Sequence, residues 1–531
     1  MMKVFKKEAL RLLFSLLAVS LLFSCKQPAT MLKGNYTEVE LYRPNFHFTP
    51  EKGWMNDPNG MFYYNGYYHL FFQYFPEGNI WGPMHWGHAI STDMISWTEK
   101  TIALYPDEKG YIFSGSAVVD INNTSGFGTL KNPPIIAMFT YHDMKKEKAG
   151  ETKYQSQAIA YSLDEGMTWT KYEANPVIEN PNIKDFRDPK MTWDSIHKQW
   201  LMVLAAGDKT MFYTSKNLKE WILQSDFGAD IGAHGGVWEC PDFFPLKIEG
   251  SDEYKWVLLL SINPGGPNGG SATQYFVGDF DGKKFKLVKS FTDDIKGDKG
   301  VWIDYGRDNY AGVTFSNISE VDGRKLFVGW MSNWDYAQKV PTETWRSSMT
   351  IPRELTLVKE KGHFSVSSRP AKELQNYVVK TSKEKSIKGT GKLTIATAGK
   401  IDLTKAIINF NMKNLKQDTY TFSLSNGIGE SLSFGINNTD NYLFLDRSKS
   451  GKIDFSEKFA ATITKASLNG NQKEATFKII LDKTSIEIFY NNGEKVITEI
   501  FFPNQPLTTL SVSSNEKIEI KNLEIDQLYI N

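Results

Sequence analysis

The chain is predicted to be all-β, a five-bladed β-propeller followed by a C-terminal β-sandwich, and three features of its 531 residues carry that expectation. A unit of roughly 55 to 70 residues repeats loosely five times between Gly34 and about Pro352, each copy holding several short β-prone runs. Those repeats contain no long segment with the 3.6-residue apolar period of a helix. Beyond Glu354 the texture changes to alternating Thr, Ile, Val, Phe and Lys with Asn/Gly turns, and all 14 Trp lie before that point, from Trp54 to Trp345. Two modules of different character follow from that break.

Residues 1–24 read as an export signal rather than as part of the fold. Lys3, Lys6, Lys7 and Arg11 precede an apolar run, Leu12 to Phe23, that is too short to span a bilayer. The run ends in Leu22-Phe23-Ser24-Cys25, which resembles a bacterial lipoprotein signal, so Cys25 is the expected lipidation site. The protein is therefore expected to be exported and lipid-anchored in the bacterial cell envelope, with residues 25–42 as a polar tether. Lipidation of Cys25 leaves Cys240 alone, so no intramolecular disulfide is expected and packing must hold the fold. Lys+Arg and Asp+Glu both total 61, for a formal net charge of +0. Nothing in that balance attracts nucleic acid or an acidic membrane surface. A neutral partner such as sugar fits better, and membrane contact is expected only through the lipid.

The propeller is expected over residues 43–360. Its repeats show first in five apolar runs: Tyr67 to Tyr74, Ile135 to Tyr141, Trp200 to Ala206, Lys255 to Ile262 and Lys325 to Met331. The first four are each followed by a second run. Three of these end in similar turns, Ser91-Thr-Asp93 with Trp97, Ser162-Leu-Asp164 with Trp169, and Ser215 with Trp221, where the aromatic can pack between neighbouring sheets. The sandwich is expected over 370–531, from hairpin signals such as Ser485-Ile-Glu-Ile-Phe-Tyr490 before Asn491-Asn-Gly493. Lys380 to Gly391 reads as an exposed loop leading into it.

Three acids occupy comparable points of different repeats. Asp57 lies ten residues before Tyr67, Asp188 twelve before Trp200, and Glu239 sixteen before Lys255, where the innermost strands of blades one, three and four would face the central channel. Carboxylates gathered at one axis repel, and glycoside hydrolysis supplies a reason for gathering them. A retaining enzyme needs one carboxylate to attack the anomeric carbon and another, about 5 Å away, to protonate the leaving oxygen. Crowding raises the proton affinity of one member, which suits an acid/base.

The residues around these acids resemble glycoside hydrolase family 32, the invertase, inulinase and levanase group. The resemblance rests on Trp54-Met55-Asn56-Asp57-Pro58-Asn59-Gly60, Phe113-Ser114-Gly115-Ser116, Arg187-Asp188-Pro189 and Glu239-Cys240-Pro241. Asp308-Asn309-Tyr310-Ala311 and Gly329-Trp330-Met331-Ser332-Asn333-Trp334 extend it, so that it runs in order over roughly residues 43 to 355. The resemblance implies a retaining β-fructosidase acting on fructan (levan or inulin) or fructo-oligosaccharides, with Asp57 as nucleophile, Glu239 as acid/base and Asp188 as transition-state stabiliser. It also implies that Arg187 orients the acids, that Asn56, Gln73 and Ser114 line the terminal fructose pocket, and that Trp54, Trp81, Phe113 and Trp334 form its apolar walls.

No cofactor or metal is expected: His85 and His88, three apart on a strand, face opposite sides. Cys240, without a His partner, reads as a small packing residue rather than a nucleophile. The competing readings are a lipoprotein that binds fructan without cutting it and an arabinan-cleaving enzyme on a related propeller. Intact Asp57 and Glu239 oppose the first, and the Trp54 to Gly60 run opposes the second. Export favours fructan over sucrose as substrate. Whether sucrose is also cleaved, the linkage preferred, and terminal against internal cutting stay open. The 142–154 insertion and the Pro264 to Gly270 loop are expected to shape the channel mouth.

Overall fold

The structure is a computed structural model that describes residues 41–295, 300–397 and 399–530. Residues 1–24, Cys25 and the tether up to residue 40 lie outside the described residues. From Tyr42 onward the chain is one compact unit, and Tyr42 is already buried in it, edge-on to Phe502.

Five sheets, each with a core of four antiparallel strands, form the blades. Their innermost strands are Gly53–Tyr64, Tyr111–Val119, Phe186–Asp194, Val237–Lys247 and Tyr310–Thr314. The five apolar runs seen in the sequence are the second strands, Tyr67–Phe75, Ile135–His142, Gln199–Ala206, Tyr254–Asn263 and Lys325–Met331. They are apolar nearly throughout because both faces of each are covered by neighbouring blades, as in the fully buried pattern of Ile135–His142. Blade five ends with His363–Pro370, ten residues beyond the expected end of the propeller. The ring closes where Trp345–Arg346 pairs in parallel with Gly53 and Trp54, and where Tyr63 N–H donates to Ser316 O at 3.0 Å.

The three similar turns share one device. Met94, Gly166 and Leu218 take left-handed backbone conformations. Their carbonyls accept from the indole N–H of Trp97, Trp169 and Trp221 at 2.8, 3.0 and 3.1 Å. Each indole is thereby held over the seam to a neighbouring element; Trp169 of blade two, for instance, meets Phe71 of blade one edge-on at 5.6 Å.

The C-terminal module is a sandwich whose two layers share long strands. Thr509–Leu528 pairs through residues 509–513 with Thr419–Ser425 and through residues 520–527 with Ala406–Lys413, so it passes from one layer to the other. Phe422 of one layer packs 4.9 Å from Phe410 and 6.0 Å from Phe477 of the other. The expected loop Lys380 to Gly391 is instead the middle of strand Val378–Thr397, paired along nearly all of Thr509–Leu528. It looked loop-like because its side chains are mostly exposed, which removes the apolar alternation that marks a strand.

Propeller and sandwich meet through buried ions. Arg353 Nη1 donates to Asp304 at 2.8 Å and its Nε to Glu487 of the sandwich at 3.0 Å, while His47 bridges Asp482 and Glu487 at 2.8 and 2.9 Å. Nearby, Arg447 pairs with Asp308 at 2.6 Å and Glu499 at 2.7 Å. The Pro264 to Gly270 loop belongs to this junction: Asn268 is bonded to the backbone of Lys465 in both directions, at 2.9 Å each.

Candidate active site

All five innermost strands slip by one residue against their second strands at the same level. The slips fall between Met55 and Pro58, Ile112 and Gly115, Arg187 and Lys190, Glu239 and Asp242, and Tyr310 and Val313. In every case three steps on the inner strand match two on its neighbour, which is a β-bulge, and a bulge re-aims side chains out of the alternating pattern. Asp188, Cys240 and Ala311 take positive φ within these bulges, at 64°, 47° and 53°. The prolines of Asp188-Pro189 and Cys240-Pro241 fit there because a bulge needs no ladder N–H. Five bulges at one level turn Asp57, Ser114, Asp188, Glu239 and Tyr310 toward a common axis.

The cleft at this level encloses about 230 Å3 and is lined by residues that include Asn56, Asp57, Gln73, Trp81, Phe113, Ser114, Arg187, Asp188, Glu239 and Trp334. Below the bulges the channel is filled. Asp242 accepts from Thr314 N–H and Oγ1 at 2.6 and 2.8 Å, Lys190 bonds to Thr314 O 3.5 Å from Asp242, and a void of only about 10 Å3 remains among Pro58, Gly115, Pro189 and Pro241. A Cβ at Gly115 would stand 2.0 Å from Met138 O, so that close approach requires glycine. The cleft is therefore open at the mouth and closed at its base.

The three carboxylates are held differently. Asp57 accepts from Ser114 Oγ at 2.7 Å, Asn56 Nδ2 at 3.0 Å and the Cys240 thiol at 3.4 Å. Among the described residues no cation pairs with it. Asp188 accepts from Cys240 N–H at 3.0 Å, with Arg187 Nε 3.8 Å away. Glu239 accepts from Arg187 Nη2 at 2.6 Å and from the Tyr310 hydroxyl. Arg187 in turn donates to Asp185 at 2.7 Å, and Asp185 accepts from the Tyr154 hydroxyl at 3.0 Å. Burial pushes Asp57 above the usual carboxylate range, with the Glu239 charge adding to it. Burial likewise raises Asp188, to about 7, despite the opposing Arg187 charge. Burial is thus the largest upward push on both aspartates, and the Glu239 charge adds to it in each case.

Residues 47–368 match the glycosyl hydrolases family 32 N-terminal domain and residues 372–527 the family 32 C-terminal domain. The chain belongs to glycoside hydrolase family 32. It is a retaining glycoside hydrolase, as family 32 enzymes are. The levanase of Bacillus subtilis (strain 168) is 45% identical over 521 residues, covering 98% of this chain and 75% of that protein. The extracellular exo-inulinase inuE of Aspergillus niger is 38% identical over 516 residues, covering 91% of this chain and 94% of that one. A crystal structure of exo-inulinase from Aspergillus awamori superposes with a TM-score of 0.83 at 36% identity, over 92% of this chain and 98% of that one.

Within this family 32 cleft, Trp54 stands apart from the other expected wall residues. It is fully buried and lies behind the surface, where its indole N–H donates to Asn56 Oδ1 at 2.7 Å and orients the amide that bonds Asp57. Trp330 and Trp334 pack against it at 6.0 and 5.8 Å. Gln73 is turned partly away, donating to Asn59 Oδ1 and Ile112 O at 2.8 and 3.0 Å. Cys240 is more than packing, since its backbone and thiol touch two of the three acids. Burial pushes that thiol well up, so it is an S–H donor and not a thiolate. Tyr310, which sequence reasoning placed in a motif without a role, contacts Glu239. Its place before the second strand of its blade, comparable to that of the acids in theirs, was the signal that could have found it. The Pro264 to Gly270 loop lines no part of the cleft and instead backs the segment bearing Trp334, whose N–H donates to Ser271 Oγ at 3.2 Å. His88 is stacked on Phe71 at 4.2 Å and bonded to His69 at 3.1 Å, deep within blade one.

Proposed function

We propose that this cleft releases terminal fructosyl units from fructan with net retention. The observation that carries the reading is the convergence of three carboxylates at the closed end of a single cleft, where Glu239 accepts a hydrogen bond from the Arg187 guanidinium at 2.6 Å. Asp57, held by Ser114 and Asn56, attacks C2 of the fructosyl unit and forms a covalent intermediate. Glu239, steered by Arg187 and Tyr310, protonates the departing oxygen and then takes a proton from the attacking water. Asp188 accepts hydrogen bonds from the ring hydroxyls, which strengthen as positive charge develops in the transition state. Trp81, Phe113 and Trp334 exclude water around a small polyhydroxylated ring. The filled channel below the acids supports action at chain ends, because an internal segment has no way past. The relatives named levanase and exo-inulinase support fructan as the substrate.

Asp57→Asn should abolish fructose release from levan and inulin while the variant still binds them, and the wild type should yield a product of unchanged anomeric configuration by early-time NMR. Silence of the wild-type protein on levan, inulin and sucrose refutes the proposal. Digestion of levan against inulin, with chain-length analysis of early products, resolves linkage preference and tests end-wise cutting.

Export is supported by the basic and apolar pattern of residues 1–24 and by the word extracellular in the names of the inulinase relatives. Anchoring through lipid on Cys25 is supported by the Leu22 to Cys25 run. Protein recovered from membranes and unfolded should offer one alkylatable thiol, Cys240, whereas two thiols refute the anchor. Cys25→Ala should leave the membrane fraction.

A further inference from the structure

The mouth of the cleft has a polar wall that the mechanism above leaves unused. The hairpin between Ile135–His142 and Gln155–Ser162 carries a short helix, Met144–Lys148, and from this hairpin His142, Glu147 and Gln155 line the cleft. The Gln155 amide Nε2 donates to His142 Nδ1 at 3.1 Å, and His142 Nε2 donates to Glu147 Oε2 at 3.1 Å. That direction follows from the donor inventory, because a carboxylate only accepts, which puts the imidazole proton on Nε2 and leaves Nδ1 to accept. Burial pushes the His142 pKa down and keeps the ring neutral.

The same order leaves Gln155 Oε1 as a buried acceptor with no partner among the described residues, on a side chain only 2% exposed that lines the cleft. Buried polar groups are almost always paired, so an orphan acceptor at a cleft wall points to a donor supplied by a ligand. Glu147 adds a second acceptor, its side chain 44% exposed. His142, stacked on Phe113 at 4.1 Å and 9°, ties both to the wall.

Register gives the height of this wall. His142 pairs with Tyr111, and Phe139 pairs with Gly115 just past the bulge that carries Ser114. Three strand residues at about 3.3 Å each place the wall roughly 10 Å toward the mouth from the Ser114–Asp57 contact. In a cleft closed at its base, the terminal ring occupies the acids and the next ring stands at the height of Glu147.

Building on the fructosidase reading, we propose that Gln155 and Glu147 form a subsite for the sugar on the leaving side of the scissile bond, recognised through its hydroxyl donors. A wall made of acceptors suits a neutral polyhydroxylated ring and repels phosphorylated or carboxylated sugars. The test compares kcat/KM for a β-linked fructo-trisaccharide with that for methyl β-D-fructofuranoside, which has no second ring. The ratio of the two values should fall about tenfold in Glu147→Gln and in Gln155→Met, a loss of about 1.4 kcal/mol. The exposed Glu147 side chain makes the first variant independent of any folding defect in the second. A ratio within about twofold of wild type in Glu147→Gln overturns the subsite, as does an equal fall on both substrates, which would mean the residues only shape the terminal pocket. Wild-type silence on both substrates overturns the fructosidase reading and the subsite with it.

Discussion

Replacing Ser114 by Ala removes one hydroxyl, which donates to Asp57 at 2.7 Å, and leaves the rest of the cleft in place. Burial is the largest influence raising Asp57 and the Glu239 charge adds to it, while the Ser114, Asn56 and Cys240 donors pull the other way. A hydrogen bond to a charged group contributes about 1.5–3 kcal/mol. The low end of that range equals about one pK unit, since one unit is about 1.36 kcal/mol. The Ser114 hydroxyl favours the carboxylate form, so its loss raises Asp57 further and shrinks the ionised fraction at low pH. The acid limb of the kcat/KM profile reports essential groups of the free enzyme. It should therefore move up by about one pH unit in Ser114→Ala, with the plateau lower by about tenfold. Initial rates of fructose release from a fructo-oligosaccharide between about pH 4 and 8 make the measurement. An acid limb that stays in place or moves down refutes the assignment of Asp57 as the ionised nucleophile held by Ser114.

Two further outcomes follow from the same contacts. Burial works to lower the His47 pKa, but its hydrogen bonds to Asp482 and Glu487 and their charges prevail and raise it from 6.5 to about 9. The stability it contributes, roughly 3 kcal/mol, is fully present below about pH 6.5 and lost as pH rises through about 9. Thermal melts of wild type and His47→Gln should differ most near pH 6 and converge toward pH 10, and a gap independent of pH refutes the link. Tyr310→Phe removes the hydroxyl on Glu239 and should lower kcat about tenfold with KM within about twofold; a loss confined to KM shows that Tyr310 binds substrate instead of steering Glu239.

The sequence by itself determined the elements. Strand alternation and burial are local properties, so the five apolar runs located the second strands, and the similar Ser-to-Trp turns located the hairpins that follow three of them. The repeat also brought Asp57, Asp188 and Glu239 to matching positions, and their neighbouring motifs to one family. Local pattern misled where burial was one-sided or missing, as in residues 380–391, whose exposed side chains hid a strand defined by its partner at 509–528. Tertiary structure alone decided what each residue in the channel touches. A bulge breaks the alternation by one residue, and whether a strand has slipped depends on the register of its neighbour, which no single run encodes. The slips brought Tyr310 onto Glu239 and Cys240 between two carboxylates, while indole burial put Trp54 behind Asn56. Only the fold set Gln155 and Glu147 in the wall of the cleft that holds the acids, because that placement joins side chains through space and leaves no period in the chain.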